Sequence, residues 1–286
     1  MLTYYQYHLK SYEYGDIDPA YNLLKYICDR YELNIEQRYW LAFLYGCTYC
    51  GATVFYIYNE FPDFENVNIP RLERWWNEHK HRLLFQTDRM RIRSNNQFVA
   101  AYRSYQDRLD GRRQQDFIEN DICTFPDAGL NYNYLYQRLL EVKYFGRYSL
   151  FLWLECMHEL TGVNIMPTRI DWRNAKNCFN GVMNCFGLPE RDIVTKEESM
   201  VADQLFLVIL NQLRTYYPQL KTTVWNTETT LCAYKKYCHD KRYVGYYWKR
   251  MCAEIEKMKN NTPSKVCWNA LLDYINDPKE RENYGY

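Results

Sequence analysis

An all-α, multi-helical fold is predicted by three observations: helix-capping signatures recur along the chain, apolar residues return at helical spacing, and alternating strand patterns are scarce. The composition is that of a globular protein, 286 residues with 47% hydrophobic and 25% charged, which excludes a disordered chain. Lys+Arg 36 against Asp+Glu 35 leaves a formal net charge of +1, so a polyanionic partner must be met by a local patch rather than a generally basic body. Tyr 30, Trp 8 and Phe 13 supply broad surfaces that either fill a core or stack on ligands and bases, and composition does not choose between the two.

The elements follow in order. Asp18-Pro19 places an N-cap before proline at the first helical position, and Tyr21, Leu24, Cys28 and Tyr31 then recur at helical spacing. Asn34 with Gln37 forms a capping box that opens a long helix, uncharged from Tyr39 to Asn59. A third helix follows Pro70, and Ser94 with Gln97 caps a fourth running to about Leu109; between them lies the basic, irregular LFQTDRMRIRSN. Residues 111–130, polar and punctuated by proline and glycine, read as a linker or long loop between an N-terminal helical subdomain (1–110) and a second one (131–286), with a single compact unit as the alternative. Helices resume at about Tyr134. Asn174 is expected to cap a helix running to Gly187, and Thr195 with Glu198 to open an amphipathic helix that Pro218 stops. Two or three more helices fill Thr227 to Tyr274, and PKERENYGY reads as a frayed tail.

The uncharged run has nearly the length of a membrane span, but its five tyrosines, two threonines and two glycines favour a buried or broken helix. No membrane association is expected, and no secretory leader opens MLTYYQYHLK. The eleven cysteines read as reduced packing residues of a cytoplasmic protein. Cys47 and Cys50 form a CxxC without the second ligand pair a zinc site needs, and the five histidines are dispersed, so neither a metal nor a bound cofactor is expected.

The most specific segment is LLEVKYFGRYSLFLWLECMHELTG, residues 139 to 162: a helix, a turn around Phe145-Gly146, and a second helix. Val142 to Leu150 lies near the pattern of helix-hairpin-helix DNA glycosylases, apolar-Pro-Gly-apolar-Gly-x-x-Thr-Ala, with Tyr144 in place of the first glycine and Leu150 in place of the small residue. In such a hairpin the amides opening the second helix face a DNA phosphate, which makes Lys143, Gly146, Arg147 and Tyr148 the candidate DNA contacts; a plain αα-hairpin is the competing reading. Those glycosylases place a catalytic aspartate about twenty residues beyond the hairpin, where this sequence has Asp171. A capping or salt-bridged aspartate between Arg169 and Arg173 is the alternative.

Taken together, YFGRYSLFLWLE, LTGV, Pro167, GVMNCFGL, ETTLCAYKKY (228 to 237) and YELNIEQRYWLAFLYG (31 to 46) resemble the phage amino acid:DNA transferases, also called α-glutamyl/putrescinyl thymine pyrophosphorylases. The resemblance covers most of the chain and implies a helical, DNA-glycosylase-like fold. It implies a transferase that replaces pyrophosphate on 5-pyrophosphoryloxymethyl-uracil in double-stranded phage DNA with an amino acid or amine, in the host cytoplasm. The target methylene cannot be reached inside the base stack, so the nucleotide must be flipped and gripped by aromatic side chains. Departure of pyrophosphate calls for forked cations, and Arg89, Arg91 and Arg93 alternate so as to share a side in an extended strand; a solvated charge cluster explains them equally well. A divalent cation enters only as a pyrophosphate counterion. The incoming ammonium must lose a proton, which calls for a carboxylate: Asp171 first, Glu155 second and Glu228 third, the last also explicable as a first-turn helix glutamate after Thr227. A DNA N-glycosylase built on the same hairpin and Asp171, and a non-enzymatic helical DNA-binding phage protein, are the competing functions.

Overall fold

The computed structural model describes residues 1–86, 92, 96–263 and 266–284. Fourteen α-helices are described: α1 (Tyr4–Glu13), α2 (Pro19–Arg30), α3 (Ile35–Thr48), α4 (Gly51–Glu60), α5 (Ile69–His79), α6 (Gln97–Leu109), α7 (Ala128–Leu139), α8 (Arg147–Thr161), α9 (Lys176–Cys185), α10 (Lys196–Tyr216), α11 (Val224–Tyr237), α12 (Tyr246–Asn261), α13 (Asn269–Asn276) and α14 (Pro278–Arg281). No strand occurs among the described residues, and the fold is all-α as the sequence predicts.

Two compact units are present. The smaller comprises residues 1–19 and 167–250; the larger comprises 20–166 and 251–284. The division expected at 111–130 does not appear there. That segment lies within the larger unit and carries a π-helical turn, Asp116–Ile122, because Phe117, Ile118 and Ile122 are buried and the Glu36 carboxylate accepts from the backbone N–H groups of Gln114 (3.0 Å) and Gln115 (2.9 Å).

In the larger unit the uncharged run breaks in two. Its capping box is present, with Asn34 accepting from Gln37 N, but α3 ends at Tyr49, whose φ of 50° is left-handed, and α4 starts at Gly51. Residues 39 to 48 are all buried, which is why charge is missing from them. Helix α3 lies close against α8: a Cβ on Gly46 would come within 2.6 Å of Trp153 Cβ, so glycine is required there. Phe43 stacks on Tyr105 and meets Phe145 and Trp153, forming the aromatic centre of this unit. Among the described residues no helix is long and apolar enough to cross a membrane.

Several boundaries differ from expectation. Ser94 lies outside the described residues, and α6 begins after Asn96 without a side-chain cap. Helix α7 starts six residues before Tyr134 because Asp127 caps it, accepting from Leu130 N at 2.8 Å. The C-terminal segment is docked rather than frayed as far as Tyr284, whose hydroxyl donates to Asp29 (3.1 Å) and whose ring meets Tyr26 and Tyr274.

The smaller unit packs α1, α9, α10 and α11 around Tyr4, Tyr7, Phe179, Val182, Phe206, Ile209, Leu213 and Leu231. Capping boxes open three of its helices: Thr3 with Gln6, Thr195 with Glu198, and Thr223 with Asn226. Asp16 accepts from the N–H groups of Gly245 (2.9 Å) and Trp248 (2.8 Å), tying the 14–18 loop to the start of α12. Gly181 sets the approach of α9 to α11, since a Cβ there would stand 2.2 Å from the carbonyl oxygen of Leu231. Gly181→Ala is expected to cost about 2–3 kcal/mol, because two backbones must separate rather than one side chain turn. An unchanged midpoint in chemical denaturation would contradict this packing.

Candidate functional site

The second helix of segment 139–162 forms as expected, but the first lies almost wholly before the segment and leaves a longer turn than the sequence suggests. In the larger unit α7 ends at Leu139, the chain turns through residues 140–146, and α8 begins at Arg147. The turn is held by Val142 N–H donating to Leu139 O (3.0 Å), Phe145 N–H donating to Val142 O (3.2 Å) and Lys143 N–H donating to Ser104 Oγ (3.1 Å). Tyr144 adopts a φ of 65°, the left-handed conformation that the glycine of the resembling motif would supply. Phe145 is buried against Phe43 and Trp153 and pins the turn to the core. Gly146 is the N-cap of α8 with extended backbone and open space where a Cβ would lie. Lys143, Tyr144 and Tyr148 are exposed around it. Arg147 is half-buried beside Tyr136 and Tyr132 of α7, and burial lowers its guanidinium from the ordinary value.

From Tyr148 a ladder of tyrosines leads inward. Ring centroids step from Tyr148 to Tyr49 (6.1 Å), from Tyr49 to Tyr45 (5.6 Å) and from Tyr45 to Tyr21 (5.1 Å), each pair edge to face. The Tyr21 hydroxyl donates to Glu155 Oε2 at 2.9 Å. Glu155 is 1% exposed on the inner face of α8, and a carboxylate so enclosed is maintained only by such donors. Tyr132 stands near enough for the Glu155 charge to add to the burial that raises its phenol. An exposed aromatic edge beside the Gly146 N-cap is thus connected to a buried acid within one unit. The sequence marks Tyr45 and Tyr49 by their four-residue spacing on a helix without charge. Tyr21 carried no such signal.

Asp171 lies in the smaller unit on an irregular stretch before α9. Its neighbours Ile170 and Trp172 are buried, Trp172 donating through Nε1 to Asp203 (2.6 Å), so the backbone is pinned on both sides while Asp171 is held outward. The carbonyl of Asp171 accepts from Asn174 N (3.0 Å) and Ala175 N (2.8 Å), and its carboxylate from Asn174 Nδ2 (3.3 Å). Asn174 therefore turns back to Asp171 and does not cap the following helix, which starts at Lys176 after an Ala175 that makes no side-chain cap bond and ends at Cys185. Arg169 and Arg173 are exposed.

Glu228 also lies in the smaller unit, and the first-turn explanation for it does not hold. Thr223, not Thr227, caps α11, which puts Glu228 in the second turn, away from the helix start. Burial pushes its carboxyl up to about 7, opposed by a hydrogen bond from the Cys232 thiol (3.1 Å) and reinforced by the nearby charge of Asp18. Asp18 is buried, has a left-handed φ of 43°, and accepts from Thr229 Oγ1 at 2.7 Å. The thiols of Cys178 and Cys232 and a carboxylate oxygen of Glu228 lie within 4.8 Å of one another. The Glu228 and Cys232 pair is readable as a four-residue spacing on a predicted helix; Cys178, contributed by another helix, is not. Arg89, Arg91 and Arg93 lie outside the described residues.

A family model described as amino acid:DNA transferase matches residues 12–243. The serinyltransferase of Salmonella phage ViI is 27% identical over 281 residues, covering 85% of this chain and 64% of that protein, so the chain spans somewhat under two thirds of this relative's length. No solved structure matches the chain.

Proposed function

Because the chain belongs to the amino acid:DNA transferase family, we propose that it joins an amino acid or amine to 5-pyrophosphoryloxymethyl-uracil in double-stranded phage DNA, with loss of pyrophosphate. One observation carries this reading: the family match spans the hairpin, the tyrosine ladder, and Glu155, Asp171 and Glu228 alike, so the whole set of chemically equipped residues lies inside it. The amine nitrogen, or hydroxyl oxygen, of the incoming compound bonds to the exocyclic methylene. The bond from that carbon to the pyrophosphate oxygen breaks, and the nucleophile's proton passes to a carboxylate.

The residues divide the work by position. Lys143, Gly146, Arg147 and Tyr148 meet the DNA backbone, because they gather at the start of α8, where the N-cap Gly146 has no side chain and leaves room for a phosphate. Tyr148 and Tyr49 offer ring edges and faces to a flipped base. Asp171 is the carboxylate that takes the proton, with Glu155 as the second candidate. Arg89, Arg91 and Arg93 hold the departing pyrophosphate, with a divalent cation as its counterion. The relative's name, a serinyltransferase, makes serine the first amino acid to try.

Mass spectrometry of nucleosides after incubating pyrophosphorylated hydroxymethyluracil DNA with mixed amino acids tests the reaction. An adduct with the mass of an amino acid is expected, whereas release of a free base would make the protein an N-glycosylase and no change would make it a binding protein. For the hairpin, the double variant Lys143→Ala with Arg147→Ala is expected to lower the slope of log affinity against log salt by about one to two, one for each lost phosphate contact. A slope equal to that of the parent protein would remove the hairpin from the DNA interface.

A further inference from the structure

We infer that Cys178, Cys232 and Glu228 hold a thiophilic divalent cation of the zinc class, with a fourth coordination position open to water or a small oxygen donor. Three observations lead there. Among the described residues, these are the side chains whose donor atoms converge, all within 4.8 Å. Around a tetrahedral zinc ion such atoms stand roughly 3.5–3.8 Å apart, so side-chain rotation of about an ångström closes the site without moving a helix. Two thiolates with one carboxylate are a donor set that selects zinc over magnesium or calcium.

The backbone is arranged to make the convergence. Glu228 and Cys232 are four residues apart on α11 and so share a face. Cys178 comes from α9, one turn before Gly181, and it is the missing Cβ at Gly181 that lets α9 touch the α11 backbone at Leu231. Cys178 is fully buried, whereas the residues Cys232 and Glu228 are partly accessible.

The surroundings suit a cation. Asp18, held by Thr229, places a further negative charge close to Glu228. Lys236 lies near enough to Cys232 for its ammonium to offset the net negative charge of a dication bound by two thiolates and a carboxylate. On binding, each thiol gives up its proton to solvent as its sulfur bonds to the metal. With its carboxylate committed to the ion, Glu228 leaves the nucleophile's proton to Asp171 or Glu155.

The full-length protein, freed of metal by chelation and purified without a metal-binding tag, would be titrated with Co²⁺. Expected are a thiolate-to-cobalt charge-transfer band and intense tetrahedral visible bands that saturate at about one ion per chain. The double variant Cys178→Ser with Cys232→Ser should lose both, and Cys267→Ser, which alters an exposed cysteine, should keep them. Since the double variant could lose its fold, a second measurement uses the unaltered chain: stoichiometric Zn²⁺ should protect the partly accessible Cys232 from alkylation, as mapped by peptide mass, and leave Cys267 reactive. A weak spectrum without the charge-transfer band, bands retained in the double variant, or equal alkylation of Cys232 with and without Zn²⁺ would each overturn the site.

Discussion

Asp171→Asn is expected to leave folding and DNA binding intact and to cut amino-acid transfer by about a hundredfold or more, the usual scale for a positioned general base. The substitution keeps the size of the side chain and a carbonyl oxygen that can still accept from Asn174 Nδ2. The turn is held mainly by the backbone carbonyl, which accepts from Asn174 and Ala175, and by the burial of Ile170 and Trp172, none of which changes. Charge and basicity are therefore the properties removed. The check is single-turnover transfer on pyrophosphorylated DNA beside a binding isotherm on the same duplex. A transfer rate near that of the parent protein would return Asp171 to the role of a turn residue.

Where Asp171→Asn keeps the parent rate, Glu155→Gln is expected to lower transfer by that factor instead, while shifting the thermal midpoint little. Glutamine keeps an oxygen for the Tyr21 hydroxyl and relieves the cost of enclosing a charge, so a purely structural Glu155 would be replaced at small loss or even gain in stability. The informative readout is the pH profile of the transfer step. If Glu155 accepts the proton, the variant loses the acid limb of that profile; if it only orders the tyrosine ladder, the limb remains and Tyr21→Phe produces the same modest loss. The two variants together discriminate between an outward carboxylate pinned by a turn and an enclosed one on α8.

The all-α class and most helices were legible because the signals for them are local. The boxes at Asn34 and Thr195, the proline at 19 and the stop at Pro218 each act within one turn of helix. What escaped depends on distance along the chain. The segment 111–130 reads as a linker until the carboxylate of Glu36 is seen holding its backbone amides. The same holds for the site. The turn before α8 is contiguous and so legible, whereas the sequence shows Tyr144 only as a departure from the glycine pattern and not as a left-handed residue. The pairing of Glu155 with Tyr21 spans 134 residues, and the convergence of Cys178 on Cys232 is set by a glycine contact between two helices, neither of which any local pattern encodes.

The discontinuity of the smaller unit bears on how the chain matures. Helix α1 leaves the ribosome before the rest of its unit, yet the partner of its Tyr4 hydroxyl is Thr230, 226 residues later. At about 5–20 residues per second that partner emerges roughly ten to forty-five seconds afterwards. During this interval residues 20–166, most of the larger unit, are already available to collapse among themselves. Helix α1, carrying Tyr4, Tyr7 and His8, meanwhile waits without its core. Nascent chains stalled before α11 should therefore expose α1 to protease and to holdase chaperones, and release of α11 from the exit tunnel, rather than completion of the chain, should mark the moment that exposure ends.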